Sequence, residues 1–400
     1  MASEPNTEVC NLMVKIDGKE EIKATNTDSW KLTNGTEVVS LTIDQRLDAP
    51  DSFSLKFLAS KEGQRTVFDW VKEGADIELG FGYDKPIPTL FKGEVIYVEV
   101  DYGAEGASLV TLRGYDRSHR LTRGFSAGTW GDGHTEDQVV SDVVSDVIGA
   151  SKAEKGEASD GLSADKVDST EYKSRYIPKA MTTDYDFIKW AGSNLARASD
   201  SDQKDDKKIS FRKLDITQNP VATVFLEKAD GSKATPIRTF RARFEISTYP
   251  IYGKVRVHGW NPSEKKAFVG EVESCSPEID CAAANGWTAG WEAAGKALWG
   301  SSSSGATYER VLEFCEHKEE AEKLAQGIFD SFSLRYLTGD ADVMGWPEIV
   351  PGSCVEFLGF GDRVNGKVLV TESTHFLSAQ AGKPYSTSFR FCSNAAKDAK

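Results

Sequence analysis

The 400-residue sequence predicts a mainly β fold with α+β segments, in which two β-rich stretches flank a mixed helical region. Short segments near both ends alternate apolar and polar residues with the period of a strand, and turn residues separate them. Between these stretches, apolar residues recur at helical spacing. Many short strands separated by turns favour a sandwich or a barrel, and the length favours two to four domains.

The first β-rich stretch, residues 1–121, carries the clearest strand patterns. Its alternating segments are Val38–Ile43, Phe53–Phe57, Ile77–Phe81, Gly93–Val100 and Ser108–Leu112. Asp48–Asp51 has turn chemistry, and residues 101–106 predict the turn of a hairpin. Val67–Val71 is short and compatible with a helical turn. These patterns predict a first β module.

The mixed region, residues 122–208, begins with a predicted helix. Thr135 and Gln138 form a capping box, and the apolar residues of Val139–Ile148 that follow share one helical face. The polar run Ser151–Asp168 predicts a loop.

A second helix is predicted to follow. Thr183 or Asp184 caps it, and the helix extends through Ala196. Its predicted apolar face consists of Phe187, Ile188, Ala191 and Leu195. The charged run Ser199–Lys208 predicts a solvated loop or a hairpin tip at the periphery of the fold.

The second β-rich stretch is predicted in four pieces. They are a first β part at 209–281, an irregular insertion at 282–308, a helix-containing segment at 309–344 and closing strands at 345–400. The predicted strands are Val221–Leu226, Thr239–Ser247, Gly253–Trp260, Ser353–Leu358, Gly366–Ser373 and Tyr385–Phe391. Glu319–Phe332 has the strongest helical stripe in the sequence.

Composition and charge argue against a nucleic-acid-binding protein and against a membrane-inserted protein. The net charge of -14 and the pI of about 5.0 argue against a nucleic-acid-binding protein, which needs a basic face. The N-terminus does not resemble a secretory signal, and no window approaches eighteen consecutive apolar residues, so stable membrane insertion is not expected. The six scattered cysteines are expected to be buried free thiols.

Motifs for catalysis or cofactor binding are incomplete. Gly290–Ala297 lacks the final Ser or Thr of a phosphate-binding P-loop. Gly359–Gly361 leads to a strand and not to a helix, which favours a hairpin turn. The five histidines have no i, i+4 partner, and no nucleophile elbow is present. The sequence therefore predicts no catalytic, cofactor-binding or metal site, and no enzyme.

Two alternative functions stay open from the residues alone. Five tryptophans suggest either core packing or a glycan-stacking surface, namely Trp260, Trp287, Trp291, Trp299 and Trp346. A carbohydrate-binding protein is the first alternative. Abundant Asp and Glu permit a carboxylate pair, so a hydrolase is the second.

A family resemblance goes further. Phe91–Ile96 and Val110–Gly124 resemble the signature of phage late control D proteins, the tail hubs of contractile phages; the same module begins VgrG spikes and the hubs of extracellular contractile injection systems. Further similar segments occur in the family's order, at Thr182–Trp190, Val257–Pro262, Val269–Glu271, Ala321–Gly339, Pro351–Phe357 and Gly366–Thr371. The resemblance covers about residues 10–392.

This resemblance implies two tube-like β-barrel modules and a structural role. The chain would be a homotrimeric adaptor that joins a six-fold inner tube to a three-fold spike and transmits force on contraction. Its partners would be itself, the inner tube protein, the spike protein and other baseplate proteins, with no nucleic acid and no cofactor. It would be made in the bacterial cytoplasm and assembled into a baseplate. The given sequence ends soon after the last hub strand, where a VgrG continues into a needle, so the spike is expected to be a separate chain unless this sequence is part of a longer one. In this setting the two alternatives would be a β-rich carbohydrate-binding baseplate or fibre protein and a cell-wall hydrolase associated with a tail.

The residues that carry the family motif are expected to be structural. They are Gly93, Glu94, Arg113, Gly114, Tyr115, Asp116, Arg117, His119, Arg120, Gly259, Trp260, Pro262, Pro351 and Gly352.

The charged members of the motif allow two interpretations. Arg113, Asp116, Arg117 and Arg120 flank Tyr115 where a strand leaves the first module. They form either an ion-pair network that fixes a domain joint or a solvated charged turn.

Overall fold

The structure of the chain is a computed structural model. It describes residues 10–20, 30, 37–47, 49–59, 71–83, 86–102, 108–131, 138–150, 161–170, 173–174, 176–193, 197–202, 205–226, 236–249, 251–285, 306–312, 315–378 and 385–396.

Strands dominate the described residues, which confirms the mainly β class. The strands are β1 (Asn11–Ile16), β2 (Lys19–Glu20), β3 (Glu37–Arg46), β4 (Ala49–Ala59), β5 (Asp76–Gly82), β6 (Thr89–Tyr102), β7 (Ser108–Tyr115), β8 (Ser126–Trp130), β9 (Gln138–Val139), β10 (Ser163–Val167), β11 (Lys173–Ser174), β12 (Ile177–Thr182), β13 (Arg197–Asp202), β14 (Asp205–Lys213), β15 (Ala222–Phe225), β16 (Pro236–Ile246), β17 (Lys254–Asn261), β18 (Lys266–Val272), β19 (Thr307–Val311), β20 (Leu337–Met344), β21 (Cys354–Leu358), β22 (Gly366–Ser378) and β23 (Tyr385–Ser393).

Few helices interrupt these strands. The α-helices are α1 (Val140–Ala150), α2 (Asp184–Ser193), α3 (Cys281–Ala284) and α4 (Lys318–Ser333). Two 3-10 helices cover Arg117–Thr122 and Pro277–Ile279.

One 13-stranded sheet runs through both β-rich stretches. Its order is β2-β1-β5-β6-β7-β4-β3-β22-β21-β15-β16-β20-β23. The two halves meet where β3 pairs antiparallel with β22, from Arg46 opposite Glu372 to Ser40 opposite Ser378. Backbone hydrogen bonds therefore join the two modules directly.

The second module closes on itself. Strand β22 pairs with β21, which is followed by β15, β16, β20 and β23, and β23 pairs again with β22. The six strands form a closed circuit of pairings, as a small barrel requires.

The first module repeats the same strand order. The six main strands are β1, β3, β4, β5, β6 and β7 in the first module and β15, β16, β20, β21, β22 and β23 in the second. When each set is numbered one to six along the chain, strands four, five, six, three and two are successive neighbours in both modules, and strand one lies beside strand four. Strand one runs in opposite directions, because β1 is antiparallel to β5 whereas β15 is parallel to β21. The chain thus contains an internal repeat of topology that sequence identity does not reveal.

Among the described residues, β1 and β3 of the first module are not paired with each other, and Trp30 contacts the chain at both strands. In the second module, strands one and two pair directly as β15 and β16. In the first module, the Trp30 carbonyl accepts a 2.8 Å hydrogen bond from the Val38 amide, and its indole donates a 3.2 Å bond to the Cys10 carbonyl. These two hydrogen bonds link the residue before β1 to β3. The Trp30 side chain is also buried, so it fills part of the first core.

Alternation along the strands builds the cores. Leu41, Ile43, Phe53, Leu55 and Phe57 point into the first core, which Leu377 and Tyr385 of the second module complete. The second core lies inside the closed circuit and extends to α4, whose Ala321, Ala325, Ile328 and Phe329 face inward at helical spacing.

Helix α4 packs against the separate three-stranded sheet β18-β17-β19. Gly270 on β18 allows the contact, because a Cβ there would lie 2.3 Å from the Ala321 carbonyl carbon. A larger residue would push the helix away from the sheet.

Most predicted strands and helices are confirmed. The hairpin interpretation of Gly359–Gly361 is correct, because β21 and β22 are antiparallel and Gly359 and Gly361 adopt left-handed φ values of 84° and 108°. The predicted helix Glu319–Phe332 is α4, one residue longer at each end. Val67–Trp70 lies outside the described residues, and Val71 is buried and not helical.

Several predictions in the mixed region were wrong in detail. Gln138–Val139 is a strand paired with Lys173–Ser174, so α1 starts at Val140; Thr135 lies outside the described residues. Ser163–Val167, predicted as loop, is a strand parallel to β14. Local polarity hid both strands because their partners lie far along the chain.

The second predicted helix is confirmed as α2. Thr183 caps it, because its hydroxyl oxygen accepts a 3.0 Å bond from the Asp186 amide. Residues 194–196 lie outside the described range.

The segment 282–308 was predicted as an irregular insertion with one short helix; a short helix does occur at its start, whereas the strand at its end was not predicted, and residues 286–305 lie outside the described residues. Ala282–Ala284 belong to α3, and Thr307–Tyr308 belong to β19, where Tyr308 packs edge-on to Phe332 at 5.0 Å. The predicted boundary at 208/209 falls inside β14, which pairs with β10 and β13 of the mixed region.

Replacing Trp30 tests its bridging role. Trp30→Ala should destabilise the protein by about 3–5 kcal/mol because it empties a buried site. Trp30→Phe should cost only about 1 kcal/mol, since it keeps most of the ring but loses the bond to the Cys10 carbonyl. Urea unfolding measures both, and equal effects of the two variants would contradict the hydrogen-bonded bridge.

His375 predicts a pH dependence of stability. It is fully buried, its Nε2 lies 3.1 Å from the Ile349 carbonyl and its Nδ1 lies 2.9 Å from the Tyr385 hydroxyl. Burial lowers the pKa of His375 to about 4. The unfolded imidazole, with its ordinary pKa near 6.5, binds a proton first as the pH falls, so stability decreases between about pH 6.5 and 4.

The measurement compares wild type with His375→Gln, which removes this titration. Between pH 7 and 4 the wild type should lose roughly 3 kcal/mol more than the variant. Parallel pH profiles for the two proteins would refute a neutral buried imidazole.

Candidate functional site at the joint of the first module and the mixed region

The 3-10 helix Arg117–Thr122 forms the exit from the first module. Asp116 begins it, and the Asp116 carboxylate accepts a 2.9 Å bond from the Ser118 amide and a 3.0 Å bond from the Asp51 amide. Leu121 at the other end is buried in the core of the mixed region. One turn of chain therefore belongs to two hydrophobic units, and Asp116 fixes its start.

Two glycines bring β6 and β7 close together before this turn. A Cβ on Gly93 would lie 2.3 Å from the Tyr115 carbonyl oxygen, and a Cβ on Gly114 would lie 1.8 Å from the Glu94 carbonyl oxygen. Only glycine permits this approach. The two family-motif glycines thus set where Glu94 faces the turn.

Arg117 is the centre of the site. Its side chain is 4% exposed, and Nε donates a 2.8 Å hydrogen bond to the Asp206 carboxylate. Another guanidinium nitrogen bonds the Asp76 carboxylate, and a third lies 3.7 Å from Glu94. Asp76 and Glu94 belong to β5 and β6 of the first module, whereas Asp206 belongs to β14 of the mixed region. The guanidinium fork therefore clamps the two units together.

Arg120 and His119 complete the arrangement around Glu94. Arg120 binds this carboxylate through two nitrogens, with Nε at 3.1 Å. His119 Nε2 lies 3.8 Å from Glu94, and Nδ1 lies 2.6 Å from the Asp116 carbonyl. Burial lowers the pKa of His119, so the imidazole is neutral at neutral pH.

Two arginines therefore face three carboxylates. Burial raises the pKa of Asp206 despite the neighbouring Arg117. Burial alone would lower the pKa of Arg117, but Asp206, Asp76 and Glu94 raise it, so the guanidinium stays charged. Arg117, Glu94 and Asp206 depend on one another, because a buried charge without a partner is strongly unfavourable, whereas the Asp76 side chain is largely exposed. The arrangement suits a rigid joint.

The joint decides between the two sequence interpretations. Arg117 and Arg120 form the ion-pair network, and Asp116 and His119 support it through the turn. Arg113 does not take part, because its guanidinium pairs with Glu99 on the exposed face of the sheet. Tyr115 is partly exposed and packs beside His119, with ring centroids 6.0 Å apart.

The other motif residues lie elsewhere. A Cβ on Gly259 would lie 2.4 Å from the Phe268 ring, so this glycine allows β17 and β18 to pack; Trp260 is half exposed, and Pro262 is in the exposed turn that follows. Pro351 is buried, and Gly352 adopts a φ of 81° and donates a 2.8 Å bond to the Val370 carbonyl. These residues shape separate turns.

Sequence reasoning missed two members of the joint, Asp76 and Asp206. Asp206 sits in Ser199–Lys208, and the prediction that this run is solvated was wrong at this residue, which is buried. The hairpin interpretation was right, because β13 and β14 are antiparallel. Nothing local distinguishes Asp206 from its acidic neighbours.

The cysteines are free thiols, as the sequence predicted. Cys10, Cys281, Cys315, Cys354 and Cys392 are buried free thiols, and Cys275 is half-buried.

The tryptophans do not form one surface in the described part of the chain. Trp346 packs against the second core while Trp260 lies on the outer face of β17; Trp287, Trp291, Trp299 and Gly290–Ala297 lie outside the described residues.

The described residues lack two other kinds of feature. They contain no group of three or more His, Cys, Asp or Glu side chains placed to hold a metal ion. None of their helices has the length and apolar character needed to span a membrane.

Solved structures with the same fold are phage tail proteins and a related secretion component. The tail protein from Neisseria meningitidis MC58 has a TM-score of 0.62 at 13% identity, covering 96% of this chain and 97% of that chain. The 43 kDa tail protein of prophage MuSo2 from Shewanella oneidensis has a TM-score of 0.61 at 12% identity, covering 97% and 100%.

An E. coli component of the type VI secretion system, described as structurally similar to the T4 bacteriophage tail proteins gp27 and gp5, has a TM-score of 0.54 at 11% identity, covering 96% and 79%. The chain therefore has the fold of phage tail proteins. It belongs to the family described as the Alg8 N-terminal domain, whose model matches residues 68–379. No curated protein matches the sequence.

Arg117→Ala tests the joint. It should destabilise the protein by about 3–5 kcal/mol, because Asp206 is left buried without its cation and Glu94 loses one of its two arginines. The matched control is Arg113→Ala, four residues away, whose exposed pair with Glu99 should contribute less than about 1 kcal/mol. Denaturant unfolding of both variants gives the comparison, and similar losses would argue against a buried clamp.

Proposed function

We propose that this chain is the structural hub of a contractile injection machine, similar to phage late control D proteins and VgrG. It would act as a homotrimeric adaptor between a six-fold inner tube and a three-fold spike. The observation that carries the proposal is the repeat of one strand order in two modules that share a single sheet.

The repeat of two similar modules in one chain would allow a trimer to match both a six-fold tube and a three-fold spike. Three copies of a chain with two similar modules offer six modules around one axis, which matches the symmetry of a hexameric tube. The mixed region occurs once per chain and is therefore repeated three times, which suits a trimeric spike. A protein with one module per chain could not serve both symmetries in this way.

The contacts between units fit a part that carries load. A row of alternating charges crosses the two modules on one face of the sheet, through Arg243, Asp340, Arg390, Glu372 and Arg46. Cross-strand pairs of opposite charge stabilise the register of a sheet. Together with the β3–β22 pairing and the Arg117 joint, this row favours units that move as one body.

The proposed division of the chain follows this scheme. The first tube-like module would cover 1–121, the mixed helical domain 122–208, and the second module 209–281 and 345–400. The insertion at 282–308 and the helix-containing segment at 309–344 would lie between the two parts of the second module. The tube, spike and other baseplate proteins would be its partners. The chain would be made in the bacterial cytoplasm and assembled in the baseplate of a phage tail or phage tail-like particle. The role is structural and not enzymatic.

Imaging the assembled particle tests the proposal. The expected result is three copies of the chain between tube and spike, with first and second modules alternating around the axis. Deleting the gene should leave particles without a joined tube and spike, and the wild-type chain should restore them. Six copies per ring, or particles that assemble normally without the chain, would overturn the adaptor function.

A further inference from the structure

Two exposed apolar side chains project from the ribbon formed by β8 and β12. Phe125, just before β8, is 71% exposed, and Met181, near the end of β12, is 68% exposed. The two residues lie at the same end of the ribbon, because Ser126 pairs with Thr182. We call Phe125 and Met181 the knob. Exposed apolar surface is one feature of contact sites, so the knob is a candidate for such a site.

The backbone holds Met181 outward at a cost. Its φ is 37°, in the left-handed region that methionine avoids, and the register shifts between Lys179 and Thr182. Both sides of this bulge are fixed, because the buried Lys179 ammonium binds Ser126 and Asp184, and Thr183 caps α2. A strained residue that presents an apolar side chain to solvent indicates a function for that side chain.

A second exposed apolar surface lies on the sheet β18-β17-β19. Val269 and Val311 are both paired with His258, so all three share one face with Trp260, two residues along β17. Trp260 is 51% exposed and Val311 is 74% exposed. We call Trp260, Val269 and Val311 the receiver. The opposite face of the sheet packs on α4.

Charges around the two surfaces are complementary. Arg123, two residues before Phe125, is exposed and has no ion pair with the described residues. Next to the receiver, Glu271, Glu273 and Glu309 outnumber Lys254 and Arg256, to which they are paired. A cation beside the knob therefore fits an acidic rim beside the receiver.

We propose that the knob of one copy of this chain packs on the receiver of a second copy. Since the chain carries a net charge of -14, other surfaces of two copies repel, whereas these are apolar and complementary. Knob and receiver are different surfaces of the chain, so the contact is heterologous, and in the proposed trimer three such contacts would close a ring. The inference deepens the proposed trimer and rests on it for the number of copies. The few side chains involved make the contact weak on its own.

The strain at Met181 separates association from folding. Met181→Asn should raise the unfolding temperature, because Asn tolerates a left-handed φ. The same substitution should weaken self-association about tenfold or more, because it removes an apolar side chain from the knob. Sedimentation at high protein concentration measures the association. The matched control is Lys265→Asn, which relieves a φ of 53° in the exposed β17–β18 turn. It should raise the unfolding temperature and leave association unchanged. A monomeric wild type, or equal association of both variants, overturns the proposal.

Cross-linking tests which surfaces meet. A bismaleimide should join Met181→Cys chains to Val311→Cys chains in a mixture, and should give far less dimer with either variant alone or with the wild type. Adding Phe125→Ser or Arg123→Glu to the Met181→Cys chain should reduce the yield. Equal dimer yields for the mixture and the single variants, or no dimer at all, would reject the heterologous contact. The copy number seen in the particle is independent of this result, so the hub proposal can stand if the knob fails.

Discussion

The pairing of β22 with β3 is the interaction on which the architecture depends. Strand β22 has 13 residues, enough for its first part to pair with β21 and its later part to pair with β3 along the same edge, while β23 covers the other edge. Without this shared strand the two modules would be separate sheets, each with an exposed edge. With it, Leu377 and Tyr385 from the second module complete the core of the first, so the two modules share buried apolar contacts as well as a sheet.

A second connection uses charge in place of strand pairing. The described strands of the mixed region belong to separate small sheets, and Arg117 connects this region to the first module through carboxylates on both sides of the joint. Such a network contributes geometry more than net stability, since removing charges from water offsets most of their attraction. Its value lies in orientation, because a guanidinium fork has few acceptable arrangements around three carboxylates.

Much of the fold was accessible from sequence, and the reasons are local. Alternation in Phe53–Phe57 and the stripe along Glu319–Phe332 record which side chains face the core, so these elements were predicted correctly. Part of the candidate site could be predicted from the sequence, because Glu94, Arg117 and Arg120 stand in a recognisable motif. Asp76 and Asp206 were not, because they lie 41 and 89 residues from Arg117 along the chain and their environment gives no periodic signal. The strand Ser163–Val167 was missed for the same reason.

The sequence by itself determined the β class, the order of the regions, the glycines at close strand contacts and the resemblance to tail hubs, because these depend on side-chain pattern over a few residues. Only the tertiary structure decided that two modules share one strand order, that β22 serves both, and that Trp30 fills part of the first core. It also decided which charged residues are buried. These properties arise from pairings between residues far apart in the chain, whose energies depend on burial and register that no short segment encodes.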